Sequence, residues 1–174
     1  MRKVSMATVW LDGCSGCHMS FLDIDEALLQ LAPRIDLVYS PLVDAKTFPE
    51  MADVTLIEGA VSSEHDLEKI KHVRAHTRVL VSLGDCAVTG NVPSMRNPFS
   101  VQDVVQRAYF ENVSNNPQQP QEAVPGLLSR VRPVHHIVPV DVFIPGCPPS
   151  AQAILQALTD LLDGKLPELN ARFG

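Results

Sequence analysis

The sequence lacks the features that mark membrane and exported proteins. No stretch approaches the roughly 20 apolar residues that a membrane-spanning helix needs. Arg2 and Lys3 precede an apolar run at residues 4–11, but this run is short and lacks the small-residue cleavage site of a signal peptide. The sequence therefore predicts a cytoplasmic protein without a membrane span.

A basic surface and a phosphate-binding loop are also missing. The chain has 14 Lys and Arg against 20 Asp and Glu, a formal net charge of -6, whereas general nucleic-acid binding needs a basic face. No Gly-x-Gly-x-x-Gly sequence occurs, so the chain lacks the motif that is typical of dinucleotide binding. These absences predict no nucleic-acid partner, and no NAD site in this chain.

Apolar runs alternate with helical patterns along the 174 residues. Strands are predicted at residues 4–11, 35–43, 53–60, 78–83 and 138–144, and helices at 21–32, 63–74, 101–109 and 151–162. Ser63 and Ser100 are the expected caps of the second and third helices. This alternation predicts an α/β fold with a parallel sheet, in a single domain over 1–174. A segment at about 112–132 is rich in Pro, Gln and Asn and predicts a long loop.

The chain has only four cysteines, and each of them follows a predicted strand. Cys14 and Cys17 follow the first strand, Cys86 the fourth and Cys147 the last. Because the carboxyl ends of parallel strands lie along one edge of a sheet, we expect the four thiols to converge there. Structural disulfides are rare in a reducing compartment, so shared metal ligation is the favoured interpretation.

The spacing leaves several kinds of cysteine site open. Four thiolates can hold a [4Fe–4S] or a [2Fe–2S] cluster, and the spacing does not separate the two. One zinc ion also takes four cysteines, usually as two Cys-x-x-Cys pairs, but this chain has a single pair, Cys14 and Cys17. A thiol redox motif at that pair or inert buried thiols are further alternatives. Glycines beside the cysteines favour a cluster, because they let backbone amides approach its sulfides.

Five segments carry a resemblance to a known family. They are WLDGCSGCHMS at 10–20, IEGA at 57–60, LGDCA at 83–87, VPSMRNP at 92–98 and DVFIPGCPP at 141–149. Together they resemble the small subunits of nickel–iron hydrogenases, and more narrowly the short cytoplasmic form of the NAD-reducing (bidirectional) enzymes. The resemblance covers nearly the whole chain.

The resemblance implies a flavodoxin-like domain with helices on both faces of the sheet and one proximal [4Fe–4S] cluster. It assigns the ligand positions to Cys14, Cys17, Cys86 and Cys147. The chain would relay electrons without catalysing alone. Its implied partners are a large subunit with the nickel–iron centre and diaphorase subunits with further clusters, FMN and the NAD site. The alternatives are the cluster subunit of a complex I-like quinone oxidoreductase, which has two adjacent cysteines at the first site, and a zinc-stabilised interaction module.

Residues beside the ligand positions are predicted to shape the site. Glu58 is a candidate for a hydrogen bond near the cluster or for proton relay, and His18 for a donor to the cluster or the partner. Gly13 stands where family members often have a glutamate linked to proton transfer, so the resemblance does not carry that role to this chain. The full predicted set is Asp12, Gly13, Gly16, His18, Glu58, Gly84, Asp85, Gly146 and Pro148.

Overall fold

Seven strands form two sheets in the computed structural model, which describes residues 2–167. The strands are β1 Val4–Trp10, β2 Ile35–Tyr39, β3 Ala52–Glu58, β4 Val61–Ser63, β5 Thr77–Leu83, β6 Leu127–Arg132 and β7 Val142–Ile144. The main sheet has the order β2-β1-β3-β5-β7, and all its neighbouring strands are parallel. Counted within this sheet the order is 2-1-3-4-5, which is the flavodoxin-like order. The predicted α/β class is therefore confirmed.

Helices cover both faces of the main sheet, as predicted. They are α1 Gly16–Leu22, α2 Ala27–Leu31, α3 Glu64–Ala75, α4 Asp85–Thr89, α5 Asn91–Ser94, α6 Val101–Gln106 and α7 Ala151–Leu162. A π-helix, Arg107–Glu111, continues α6, and a short 3-10 helix spans Val134–His136. Within the described part of the chain, no helix has the length and apolar character that crossing a membrane requires.

Two hydrophobic clusters, one on each face of the main sheet, form the core. Leu56 packs with Ile154 and Leu158 of α7, whereas its neighbour Ile57 packs with Ile70 of α3. Successive side chains of a strand point to opposite faces, so β3 contributes to both clusters. This explains why the central strands are apolar without strict alternation.

Capping boxes fix the starts of α3 and α6. Ser63 Oγ accepts a hydrogen bond from the Asp66 N–H at 3.1 Å, and the Asp66 carboxylate accepts one from the Ser63 N–H at 2.9 Å. Ser100 and Asp103 form the same reciprocal pair. Each pair satisfies backbone N–H groups that the helix itself leaves without partners. Both predicted caps are confirmed.

Several predicted boundaries are wrong. The helix predicted at residues 21–32 is two helices, and the first of them begins earlier, at Gly16. Asp25 separates them, since its φ of 57° does not fit a continuing helix. The second strand ends at Tyr39 rather than at residue 43. The last strand begins only at Val142, because Pro139 lies in the predicted first part and has no N–H for a strand ladder.

The segment predicted as a long loop ends in a strand. β6 pairs antiparallel with β4, which begins just after the carboxyl end of β3. The loop prediction for about 112–132 is therefore wrong over residues 127–132. The Pro- and Gln-rich composition stops before Leu127, and the run from Leu127 to Arg132 contains apolar residues that fit a short strand.

Asp53 joins β3 to β1 through a set of hydrogen bonds. Its carboxylate accepts from the N–H and the hydroxyl of Ser5, both at 2.9 Å, and from the Arg2 guanidinium at 2.7 Å. Burial alone would raise the pKa of Asp53, but these hydrogen bonds and the Arg2 charge outweigh burial. The pKa of Asp53 therefore lies below its ordinary value.

We expect Asp53→Asn to lower the free energy of unfolding at pH 7 by about 1–3 kcal/mol, because hydrogen bonds to a charged acceptor are lost. A carboxylate with a lowered pKa stabilises the fold above its unfolded pKa of about 3.9, and this contribution disappears as the pH falls below that value. Urea unfolding at pH 7 and at pH 3 measures the difference, which should shrink at pH 3. Asp36→Asn, on the exposed side of β2, is the control. Equal urea midpoints for both variants at pH 7 would contradict the prediction.

Candidate metal centre

The carboxyl ends of four strands lie side by side at one edge of the main sheet. Trp10 pairs with Glu58, Glu58 pairs with Leu83, and Leu83 pairs with Ile144. These residues are the last of β1, β3, β5 and β7. All four cysteines follow this row closely along the chain. The structure thus brings them to one edge, as the sequence predicted.

Two of the four cysteines are buried and two are exposed. Cys17 lies in the first turn of α1 and Cys86 in the first turn of α4, and both are buried. Cys14 and Cys147 lie in the loops after β1 and β7, and both are exposed. The candidate site therefore has an inner side against the core and an outer side that faces solvent.

Hydrogen bonds hold the loop after β5 against the loop after β7. The Gly84 N–H donates to the Ile144 carbonyl at 2.7 Å, and the Asp85 N–H donates to the Gly146 carbonyl at 2.9 Å. In return the Gly146 N–H donates to Asp85 Oδ1 at 2.7 Å. Asp85 thus fixes the relative position of two loops that each carry a cysteine.

The loop that carries Cys147 is compact. The peptide bond between Cys147 and Pro148 is cis. A Cβ at Gly146 would stand 2.6 Å from the Pro149 Cα. Ser20 of α1 donates its hydroxyl hydrogen bond to the Pro149 carbonyl at 2.5 Å. Ser20 was not predicted as a site residue, because its partner is 129 residues away in the sequence and no local pattern marks such a contact.

Glycine is needed where the backbone passes the sulfur of Cys17. A Cβ at Gly84 would stand 2.1 Å from Cys17 Sγ, and the φ of 83° at this residue also favours glycine. A Cβ at Gly16 would stand 3.3 Å from Cys14 Sγ. Four thiols with backbone close to their sulfurs are the donor set that holds iron–sulfur clusters. The residues present therefore fit such a group.

The thiols of the site repel one another when they ionise. Burial first, and then the Glu58 carboxylate and the other three thiols, raises the pKa of Cys17 far above its ordinary range. Burial and two neighbouring thiols likewise raise the pKa of Cys86 to about 11, although a hydrogen bond from the Val92 N–H opposes this rise. Metal ligation requires thiolates, and a bound metal group supplies the positive charge that offsets their repulsion.

The described residues contain no ready-made site for a single metal ion. Within residues 2–167, no three His, Cys, Asp or Glu side chains are close enough to share a single ion. A tetrahedral zinc ion with zinc–sulfur bonds of about 2.3 Å needs that close approach. In a cluster, different irons bind the different thiolates.

Glu58 forms a buried polar cluster with His18 and Trp10 beside the cysteines. Glu58 is 2% exposed and His18 is 1% exposed. The Glu58 carboxylate accepts a hydrogen bond from the His18 backbone N–H at 3.0 Å and contacts His18 Nδ1, to which the Trp10 indole N–H also donates. Nδ1 and the carboxylate oxygen are both acceptors unless one of them carries a proton. His18 Nδ1 therefore donates to Glu58 in the tautomer that carries a proton there, and accepts from Trp10 in the other tautomer.

The same cluster accounts for the positions of the remaining predicted residues. The His18 ring is directed at Glu58 and Trp10 rather than at solvent, an orientation that the sequence did not indicate. Gly13 packs beside Glu58, since a Cβ there would stand 3.5 Å from Glu58 Oε1 and 3.1 Å from the Gly59 Cα. The predicted residue Asp12 joins the same region through its backbone, which forms a bridge to Ala60.

We expect Glu58→Ala to lower the free energy of unfolding by about 2–3 kcal/mol, because it leaves the buried backbone N–H and ring Nδ1 of His18 without their carboxylate partner. Glu58→Gln keeps an acceptor oxygen for the His18 backbone N–H and should cost less. Urea unfolding of the unaltered protein, Glu58→Gln and Glu58→Ala gives the order of their unfolding free energies. Glu68→Ala, at an exposed position of α3, is the control. An equal loss of unfolding free energy for Glu58→Ala and Glu68→Ala would contradict the predicted contribution of the buried Glu58.

The sequence interpretation also missed Asn91. Its side-chain N–H donates to Cys147 Sγ at 3.4 Å. A signal was present, since Asn91 directly precedes the VPSMRNP segment at 92–98 that contributes to the family resemblance. The pattern alone did not show which sulfur, if any, this side chain approaches.

Comparisons with known proteins identify the family. The sequence profile of the family described as NADH ubiquinone oxidoreductase, 20 Kd subunit, matches residues 14–161. The chain belongs to this family. The delta subunit of the NAD-reducing hydrogenase HoxS of Cupriavidus necator is 41% identical over 168 residues, which cover 94% of this chain and 80% of that protein. The F420-non-reducing hydrogenase vhu of Methanococcus voltae has a subunit that is 40% identical, and the match covers 96% of this chain and 59% of that protein.

Solved structures agree with this assignment. A chain in the crystal structure of an NAD+-reducing [NiFe]-hydrogenase in the H2-reduced state is 40% identical, with a TM-score of 0.92 over 99% of this chain and 100% of that chain. A [NiFeSe]-hydrogenase of Dm. baculatum matches with a TM-score of 0.63 at 17% identity, over 98% of this chain and 68% of that chain, which shows a shared fold alone. Within its family the chain is thus of the hydrogenase small-subunit type, and the predicted resemblance is confirmed.

Proposed function

We propose that this chain is the electron-transfer small subunit of a nickel–iron hydrogenase that reduces NAD. Its four cysteines would hold one proximal [4Fe–4S] cluster. The observation that carries the proposal is the register that sets the ends of β1, β3, β5 and β7 side by side. This register gathers all four thiols of the chain from segments that are far apart in sequence.

The two sides of the site have different tasks in this proposal. A bound cluster supplies one-electron transfer at a potential that its surroundings adjust. Cys17 and Cys86 are buried and anchor the inner side, while the backbone at Gly84 leaves room for the Cys17 sulfur. Cys14 and Cys147 are exposed, so a partner can come close to the outer side. Electrons can then enter and leave without any opening of the fold.

The buried Glu58–His18 pair affects the charge of the site. The Glu58 carboxylate and the His18 ring contact each other at the buried end of β3, close to Cys17. This matters because the Glu58 carboxylate is among the groups that raise the pKa of the Cys17 thiol, after burial. A bound cluster would supply the positive charge that offsets this carboxylate and favours the thiolate form that ligation needs.

Catalysis is assigned to partner chains. We infer a large subunit that carries the nickel–iron centre and splits dihydrogen, and diaphorase subunits that hold further clusters, FMN and the NAD site. The HoxS relative and the matched crystal structure are both described as NAD-reducing, which supports this acceptor. The relative from Methanococcus voltae is described as F420-non-reducing, a description that names no electron acceptor. The cytoplasm, where thiols stay reduced, is the proposed location.

A tag on this chain tests the proposal. The complex isolated anaerobically through that tag should contain a nickel-bearing large subunit and should reduce NAD when dihydrogen is supplied. A complex that lacks nickel and reduces quinone would instead favour the complex I-like function, the second candidate, which the description of the matched family supports. The first site of this chain is Cys14-Ser-Gly-Cys17. It differs from the pair of adjacent cysteines that is typical of complex I-like chains, which argues against that candidate. A colourless protein that contains zinc would favour an interaction module.

A further inference from the structure

One turn of the chain directs a hydrogen-bond donor at a candidate ligand sulfur. Gly90, between α4 and α5, has a φ of 89°, and Asn91 after it has a φ of 28°, which is rare for a residue with a side chain. The Asn91 side-chain N–H donates to Cys147 Sγ at 3.4 Å. Cys147 lies in the loop after β7.

The segment that follows this turn is clamped to the small β4–β6 sheet. Arg96 Nη2 donates to the carbonyls of Ser62 and Leu128 at 3.0 and 2.9 Å. Asn97 Nδ2 donates to the Val131 carbonyl at 3.0 Å, and Asn97 Oδ1 accepts from the Val131 N–H at 2.8 Å. Both clamps join the segment to strands that lie outside the main sheet. They hold the end of the turn in place independently of the cysteines.

The backbone within the turn is also fixed. The Ser94 hydroxyl donates to the Asn91 carbonyl at 2.7 Å, and the Ser94 N–H donates to the Gly90 carbonyl at 3.1 Å. Asn91 is therefore held in its uncommon backbone conformation from both ends. Asparagine is among the few residues with a side chain that tolerate a positive φ, and it alone among the neighbouring residues of the turn brings an amide donor.

We propose that Asn91 is a positioning residue whose amide N–H, bonded to Cys147 Sγ, raises the reduction potential of the cluster. The inference rests on the proposed function, because it assumes a cluster on the four cysteines. Reduction adds one electron to the cluster and makes or breaks no bond. The added charge spreads to the ligand sulfurs, so an N–H donor stabilises the reduced form more than the oxidised form.

Asn91→Gly separates this task from a task in folding. Glycine adopts positive φ without strain. This variant therefore removes the side-chain amide and introduces no backbone strain. We expect it to keep the cluster but to have a lower midpoint potential. At a fixed solution potential, the ratio of reduced to oxidised cluster should fall by about two- to tenfold, the effect of one lost hydrogen bond. Asn91→Asp keeps the shape, replaces the donor by a negative charge and should lower the potential further.

An electron paramagnetic resonance redox titration of the intact complex, with iron and sulfide analysis, gives the result. Asn116→Gly is the matched control, since Asn116 also has a positive φ of 52° but lies in the loop between α6 and β6 and donates to no cysteine within the described residues; it should leave the potential unchanged. An Asn91→Gly protein that keeps the unaltered potential, or that loses the cluster while Asn116→Gly keeps it, overturns the inference. Absence of a cluster from the unaltered protein would instead overturn the proposed function.

Discussion

Replacing Cys86 by serine is expected to lower dihydrogen-dependent NAD reduction by the complex at least about 100-fold. Loss of a residue that only orients a metal ligand costs about 10- to 100-fold, and this change removes a proposed ligand itself. Serine also lacks a thiolate, the form that binds iron in these clusters. Cys86 is buried in the first turn of α4, so no other side chain from solvent can readily take its place.

The assay is the rate of NADH formation by the anaerobically isolated complex under dihydrogen. Ser82→Ala is the control for nonspecific damage near this position. Ser82 is fully buried on β5, and its hydroxyl makes no hydrogen bond in the part of the chain described, so its removal should change the rate little. A Cys86→Ser complex that is as active as the Ser82→Ala complex would contradict the assignment of Cys86 as a ligand.

Gly84→Ala should have the second large effect, on assembly of the cluster. The new Cβ would stand 2.1 Å from Cys17 Sγ, well inside the distance of an ordinary nonbonded contact. The sulfur would have to shift away, and it lies against the core, where packing leaves few voids. We therefore expect the iron content of the isolated chain to fall by more than about half, since a ligand held away from its position weakens metal binding about 10- to 100-fold.

Gly164→Ala is the control for a side chain placed at a positive φ without a clash. Gly164 has a φ of 74°, similar to the 83° of Gly84, but a Cβ there would meet nothing within 4 Å. Gly164→Ala carries the strain that a side chain meets at positive φ. Gly84→Ala carries the contact with sulfur and also the strain of a φ, ψ pair of 83° and 161°, which is nearly restricted to glycine. Iron and sulfide analysis should show a loss for Gly84→Ala and none for Gly164→Ala. Equal iron contents would show that the backbone at Gly84 does not limit the site.

The convergence of the cysteines at one edge of the sheet could be predicted from sequence, because it depends only on the strands being parallel. Each cysteine follows an apolar run, and parallel strands end at the same edge. The strand at 127–132 could not be predicted in the same way. β4 has three residues and directly follows β3, so its pattern merges with that of the longer strand and its partner β6 has no local signal of pairing.

Contacts between distant side chains could not be predicted. The Ser20 hydroxyl reaches a carbonyl 129 residues away, and Asn91 reaches a sulfur 56 residues away. Patterns of apolar spacing report which face of an element is buried, and they do not report which polar atom meets which. The burial of His18 was missed for a related reason, since its partners Glu58 and Trp10 come from the ends of two other elements.

The most direct test of the central claim is Mössbauer spectroscopy of the anaerobically isolated, iron-57-enriched chain, combined with iron, sulfide and zinc analysis. The four-cysteine site predicts about four irons and four sulfides per chain and the spectrum of a [4Fe–4S] cluster, with both lost in Cys86→Ser. A protein that contains one zinc and no sulfide, or an iron spectrum that Cys86→Ser leaves unchanged, would contradict it.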